Sequence, residues 1–126
     1  MEKPSKIAVG VDIIEIERVE RAASTLKGSF LRRVYTPAEL EISDNEAPTL
    51  AVRFAAKEAV MKALGTGARG IGWREIEILD NREGAPFVQL YGKALDKAKD
   101  IGMSHFAVSL SHSKQYAVAM VVGYAA

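Results

Sequence analysis

Between Pro48 and Leu64 the chain spells out a helix with almost no polar side. At 100° per residue, Leu50, Phe54 and Met61 share one face, Ala51, Ala55 and Ala59 take the next sector, and Val52, Ala56 and Ala63 lie beyond. A helix that is apolar nearly all round needs cover on several sides, so it belongs at the centre of the fold. The last strand makes the same demand. Tyr116, Val118, Met120 and Val122 occupy one face of a period-two pattern, and Ala117, Ala119 and Val121 the other, which calls for cover on both. A chain of 126 residues, 48% of them hydrophobic, buries only about two-thirds of its unfolded surface. A second copy of the chain is a natural source of the missing cover, and a homo-oligomer is expected. A central position within one subunit would account for the last strand alone.

Around the helix, strand and helix signals follow one another without repeat, low-complexity tract or linker. They predict one α+β domain over residues 1–126, a mostly antiparallel sheet packed against the long buried helix. Ile7, Val9, Val11 and Ile13 alternate with Ala8, Gly10 and Asp12, a strand with its β-branched residues on one face and Asp12 on the other. Ile16, Val19, Ala23 and Leu26 then take helical spacing up to Gly28. Thr36-Pro37-Ala38-Glu39 has the parts of a capping box, with proline in the first turn. Residues 73–79 and 87–91 read as strands around a turn at 80–86, and 93–101 as a short amphipathic helix. A strand at 106–110, a turn at 111–115 and a returning strand at 116–122 complete the chain.

Its 17 basic and 16 acidic side chains leave a formal charge of +1, which excludes a bulk polycation that grips nucleic acid without specificity. The absence of cysteine removes disulfides, thiolate metal sites and a cysteine nucleophile, and fits a reducing cytoplasm. The longest apolar run falls far short of the roughly 20 residues that cross a bilayer. The charged opening residues, followed by Gly10 and Asp12, do not compose a signal peptide. A soluble, cytoplasmic protein is expected.

Two carboxylates stand out. Glu58 and Lys62 are four apart on the long helix and can pair across one turn. They lie between the Leu50/Phe54/Met61 stripe and the alanine stripe, where a carboxylate is costly unless a cation holds its charge. A surface ion pair is the plainer reading. Asp12 interrupts an apolar strand directly after a glycine. It reads either as the cap of a helix starting near Ile14 or as the ligand of a hard cation. Magnesium takes one or two protein carboxylates and completes its shell with water and phosphate oxygens, so Asp12 and Glu58 would suit it if the fold joins them.

Gly65-Thr66-Gly67-Ala68-Arg69-Gly70 spells a dinucleotide-binding pattern but closes a helix instead of opening one, so that assignment is rejected. His112, in Ser109-Leu110-Ser111-His112-Ser113, sits at a strand–turn junction. It reads as an exposed turn residue or, with Arg53 near it, as a phosphate contact.

Gly10-Val11-Asp12-Ile13, Arg53-Phe54-Ala55-Ala56-Lys57-Glu58-Ala59 with Lys62, Gly84-Ala85-Pro86, and Ser109-Leu110-Ser111-His112-Ser113 together resemble the family of small bacterial holo-[acyl-carrier-protein] synthases, which are 4′-phosphopantetheinyl transferases. The likeness covers nearly the whole chain. Val60 stands where that family often has phenylalanine, and Ala85 where it often has lysine or arginine. The resemblance implies a homotrimer with active sites between subunits. It also implies transfer of phosphopantetheine from coenzyme A to a serine of apo acyl carrier protein, releasing adenosine 3′,5′-bisphosphate, in fatty acid biosynthesis. By motif, Asp12 and Glu58 would hold Mg2+, Glu58 would be a candidate base, and Lys62 would neutralise pyrophosphate charge. Arg53 and His112 would meet the coenzyme A phosphates, and Gly65, Gly84 and Pro86 would shape the nucleotide site.

For docking the acidic carrier, the basic residues beside the Asp12 strand, Arg18, Arg21 and Lys27, are the candidates, with Arg32 and Arg33 behind them. Two other functions remain open on the residues: a Mg-dependent coenzyme A phosphohydrolase using water as acceptor, and a non-catalytic oligomeric coenzyme A-binding module.

Overall fold

Ten elements and one 3₁₀ turn arise from these patterns in the structure, a computed structural model that describes residues 6–25, 28–65 and 69–125. Lys27 and Thr66-Gly67-Ala68 lie outside the described residues. The order is β1 (Ile7–Glu15), α1 (Ile16–Thr25), α2 (Ser29–Val34), α3 (Pro37–Ser43), α4 (Ala47–Leu64), the 3₁₀ turn Trp73–Glu75, β2 (Ile76–Asp80), β3 (Pro86–Leu90), α5 (Gly92–Asp100), β4 (His105–His112) and β5 (Tyr116–Tyr124). All strand pairs are antiparallel. β1, β5 and β4 form one sheet in that order, and β2 and β3 form a separate hairpin.

The small residues of β1 and β5 decide how α4 seats. Ala117, Ala119 and Val121 of β5 are fully buried beneath it, together with Ala55, Ala56 and Ala59 of the helix. On β1 the inward position is Gly10. A Cβ there would stand 1.8 Å from the Ala59 carbonyl oxygen, so glycine lets helix and strand backbones meet. The β-branched face of β1 therefore points away from the core. Ile7, Val9, Val11 and Ile13 are 65%, 59%, 53% and 64% exposed, and Met120 and Tyr116 of β5 join them on that open face. β5 is indeed the central strand, yet one subunit covers only one side of it.

The capping box forms as expected: Thr36 Oγ1 accepts from Glu39 N at 3.2 Å, and Glu39 Oε1 accepts from Thr36 N at 2.9 Å. Two expectations need correction. The 73–79 strand begins only at Ile76, because Glu75 turns back to accept from Gly72 N at 2.9 Å and so closes the 3₁₀ turn. The short helix α2 lacks a clean periodic signal and is absent from the sequence reading; it is held by burial of Phe30 and Val34. Among the described residues no helix is long and apolar enough to cross a membrane.

Candidate active site

Asp12 sits on β1 opposite Ala119 of β5, on the strand's helix-facing side. The helix that follows starts at Ile16, whose amide donates to Gln115 O at 2.9 Å. Asp12 therefore lies within the strand and caps nothing, which removes the plainer of its two readings. Lys62, one turn beyond Glu58 on α4, reaches across to β1: its Nζ donates to Val11 O at 2.8 Å and to Asp12 Oδ1 at 3.1 Å. The expected pairing of Glu58 with Lys62 is corrected accordingly, since the ion pair the structure forms joins Lys62 to Asp12. The reason is proximity of backbones at Gly10, which brings β1 within a side chain's reach of α4.

Glu58 lines the same cavity as Asp12, a cleft of about 360 Å³ between β1, α1, α2 and α4. Arg18 stands at this cleft, and Ile14, Val19, Ala22, Phe30 and Phe54 form its apolar wall. Burial pushes the Glu58 carboxyl above its usual range, the negative charge of Asp12 pushes it further, and Lys62 opposes both. Two carboxylates thus face one space, one of them paired to Lys62. An all-oxygen pair of this kind fits a hard divalent cation that draws its other ligands from water and phosphate. Among the described residues there is no cluster of three or more acidic, histidine or cysteine side chains that could hold a metal ion by itself.

The remaining candidates fall elsewhere on the subunit. The Arg53 side chain is buried, its Nε donating to Ile78 O at 3.2 Å and a terminal nitrogen to Asp80 Oδ1 at 2.9 Å. Asp80 pairs with Pro86 across the hairpin, so Arg53, Gly84 and Pro86 belong to one locality, the β2–β3 turn. Asn81 Oδ1 organises that turn by accepting from Glu83 N and Ala85 N at 2.9 Å each, and Gly84 takes the left-handed φ of 82° that it requires. Gly65 closes α4 at φ 77°, its amide bonded to Met61 O. His112 ends β4, exposed, with Nδ1 3.2 Å from Ser113 O. Arg21 is exposed and paired to Glu17 at 2.8 Å.

Sequence reasoning missed Lys57, which is fully buried against Glu39, its Nζ 2.7 Å from Oε1. The signal was present: on the helical wheel Lys57 falls between Leu64 and Leu50, inside the apolar circumference.

The model of a family described as the 4′-phosphopantetheinyl transferase superfamily matches residues 8–121 of this chain. A holo-[acyl-carrier-protein] synthase of Herpetosiphon aurantiacus is 46% identical over 124 residues, covering 93% of this chain and 98% of that protein. One from Dehalococcoides mccartyi is 50% identical over 113 residues, 90% of this chain and 94% of the relative. Among solved structures, Helicobacter pylori holo-[acyl-carrier-protein] synthase in complex with coenzyme A superposes with a TM-score of 0.83 at 30% identity, over 91% of this chain and 98% of that one.

Proposed function

The chain belongs to the 4′-phosphopantetheinyl transferase superfamily, and from that we infer that it moves the 4′-phosphopantetheine group of coenzyme A onto a serine of apo acyl carrier protein. The serine oxygen attacks the phosphorus that bears the pantetheine arm. The bond from that phosphorus to the bridging pyrophosphate oxygen breaks, and adenosine 3′,5′-bisphosphate leaves with the electron pair. The serine proton passes to a base. Residues 1–126 are read as a single transferase domain, working in the cytoplasm, which the lack of cysteine fits, and, by likeness to its relatives, in fatty acid biosynthesis.

The observation that carries this reading is the convergence of Asp12 and Glu58 on one cleft. These two would hold Mg2+, which when bound supplies charge neutralisation on the pyrophosphate. Lys62, bonded to Asp12, adds a cation on the same side that would neutralise pyrophosphate charge. Glu58, with its affinity for a proton raised, is suited to take the serine proton directly or through a water. Arg53 and His112, with Gly65, Gly84 and Pro86, are assigned to the nucleotide end of coenzyme A. The test is the intact mass of an apo carrier after incubation with the protein, coenzyme A and Mg2+. A gain of one phosphopantetheine with stoichiometric adenosine 3′,5′-bisphosphate is expected. An unchanged carrier mass, with coenzyme A hydrolysed or untouched, contradicts the reading.

The open apolar face of β1 and β5 supports assembly into a homotrimer with sites shared between subunits. The separation of Arg53, Gly84 and Pro86 from the Asp12 cleft within one subunit supports it too. Replacing Val11 and Met120, direct neighbours on that face, by aspartate is expected to yield monomers by sedimentation velocity and to abolish transfer; a fully active trimer from that variant contradicts the assignment. Carrier docking is assigned to α1, where Arg18 borders the cleft. Arg18→Glu is expected to raise KM for the carrier by roughly tenfold or more, as loss of an interfacial charge contact does, and to leave KM for coenzyme A nearly unchanged. Equal effects on both constants remove the docking role. Arg21, on the same helix, and from the sequence Lys27 are the other docking candidates.

A further inference from the structure

Among the described residues Asp12 has one ion-pair partner, Lys62, with Nζ 3.1 Å from Oδ1. The same amine donates to Val11 O at 2.8 Å. Glu58, one turn earlier on α4, forms no ion pair among the described residues. The two partners sit differently: the Lys62 side chain is 51% exposed and that of Asp12 18%. The carboxylate is fixed by its strand, whereas the amine ends a flexible four-carbon stem that lies half in solvent. An exposed pair of this kind adds little to stability. Its consequence lies in what competes with it.

All three groups belong to β1 and α4 of one subunit, so the competition is internal to each cleft. Two carboxylates and one ammonium leave a single negative charge. While the ammonium stays on Asp12 it occupies Oδ1 and repels a divalent cation, so it weakens the site twice over. A pyrophosphate offers that amine a second anion and a charge-assisted hydrogen bond. An amine that turns to it frees the Asp12 oxygen and carries its repulsion away from the metal position.

We propose that Lys62 is an exchangeable counter-ion for Asp12, which holds the affinity of the free protein for Mg2+ down and releases it when the pyrophosphate of coenzyme A arrives. Uptake of the two ligands is then coupled, and by linkage each strengthens the other by the same factor. The proposal rests on the reading that Asp12 and Glu58 hold Mg2+ beside that pyrophosphate.

The test is a set of calorimetric titrations on the full-length wild-type protein, Lys62→Met and Lys62→Arg, with folding established by circular dichroism and a cooperative melt. Mg2+ is titrated into each protein alone and into each saturated with coenzyme A, with the titration into coenzyme A alone subtracted. Lys62→Met is expected to tighten Mg2+ binding to the free protein about tenfold, the order of effect that loss of one unit charge beside a divalent ion gives in water. Its affinity for Mg2+ in the coenzyme A complex is expected to stay within about threefold of wild type, so the coupling factor shrinks. Lys62→Arg, which keeps the charge, is expected to keep the weak binding of the free protein. Unchanged Mg2+ affinity of free Lys62→Met overturns the proposal. So does an equal gain in the free and coenzyme A-bound states, which marks a fixed repulsion and no exchange. If Lys62→Met does not fold, Lys62→Gln decides on the same criteria. Wild-type protein that takes up no Mg2+ even with coenzyme A overturns the underlying reading as well, whereas uptake there with an unaltered Lys62→Met overturns the exchange alone.

Discussion

Glu58→Gln lowers the transfer rate by roughly 10²–10⁴-fold, the span a positioned acid–base group contributes, and it also makes the metal-free protein more resistant to heat at neutral pH. Both effects have one cause. The Glu58 carboxyl binds its proton more tightly in the folded protein than in the unfolded chain, first through burial and then through the charge of Asp12. Folded stability from this group is therefore fully present below the ordinary carboxylate range and is lost as pH rises through the raised folded value. Glutamine removes that loss along with the base. Melting curves in chelator across the acidic to neutral range check the sign: the variant's advantage over wild type grows as pH rises. An advantage that shrinks with rising pH contradicts the electrostatic account of the cleft, even if activity falls.

Gly10→Ala has an expected effect as large on the fold. A Cβ 1.8 Å from the Ala59 carbonyl and 3.1 Å from Ala63 N meets backbone on every near side, so no rotamer change relieves it. β1 and α4 have to separate, at about 3 kcal/mol, the upper end of overpacking penalties, or on the order of 10 °C in Tm for a domain of this size. The same separation carries Asp12 away from Glu58 and Lys62, so kcat falls together with Tm. Melts at equal protein concentration, since the proposed assembly would make Tm concentration-dependent, and rates taken well below the melt report both. A Gly10→Ala protein with wild-type Tm and rate would mean that the close helix–strand approach does not build the cleft.

Much of the fold was legible in local patterns, because those patterns report backbone geometry. Thr36 and Glu39 announced a capping box and formed one, and the apolar circumference of residues 50–64 announced a central helix. Which face of β1 is buried was not legible by the same route. Hydropathy favours burying Ile7, Val9, Val11 and Ile13, but the subunit packs Ala8 and Gly10 against the helix because a close backbone approach needs small residues. The outward apolar face fits the proposed assembly, which a single chain's periodicity suggests without locating.

At the site, residue types singled out Asp12 and Glu58 before any fold was known, since each is a carboxylate on an otherwise apolar surface. Their convergence, and the choice by Lys62 of Asp12 over its helical neighbour, depend on tertiary contact between segments some fifty residues apart, as the hydrogen bond from Lys62 to Val11 spans 51 positions. Arg53 shows a different limit. Its motif pointed to phosphate, and within one subunit its guanidinium bonds Ile78 and Asp80, contacts that sequence spacing does not announce. Lys57 is harder to place because a charged residue in an alanine-rich helix resembles a solvated one, and only its place on the wheel says otherwise.

That Asp12 and Glu58 share one ion is tested most directly by calorimetric titration of Mg2+ into the protein saturated with coenzyme A. Wild type is expected to take up one ion per cleft. Asp12→Asn and Glu58→Gln should each weaken that binding, with the double variant losing less than the sum of the two, as ligands of a common centre do. Binding untouched by either substitution, or losses that simply add, would contradict the shared site.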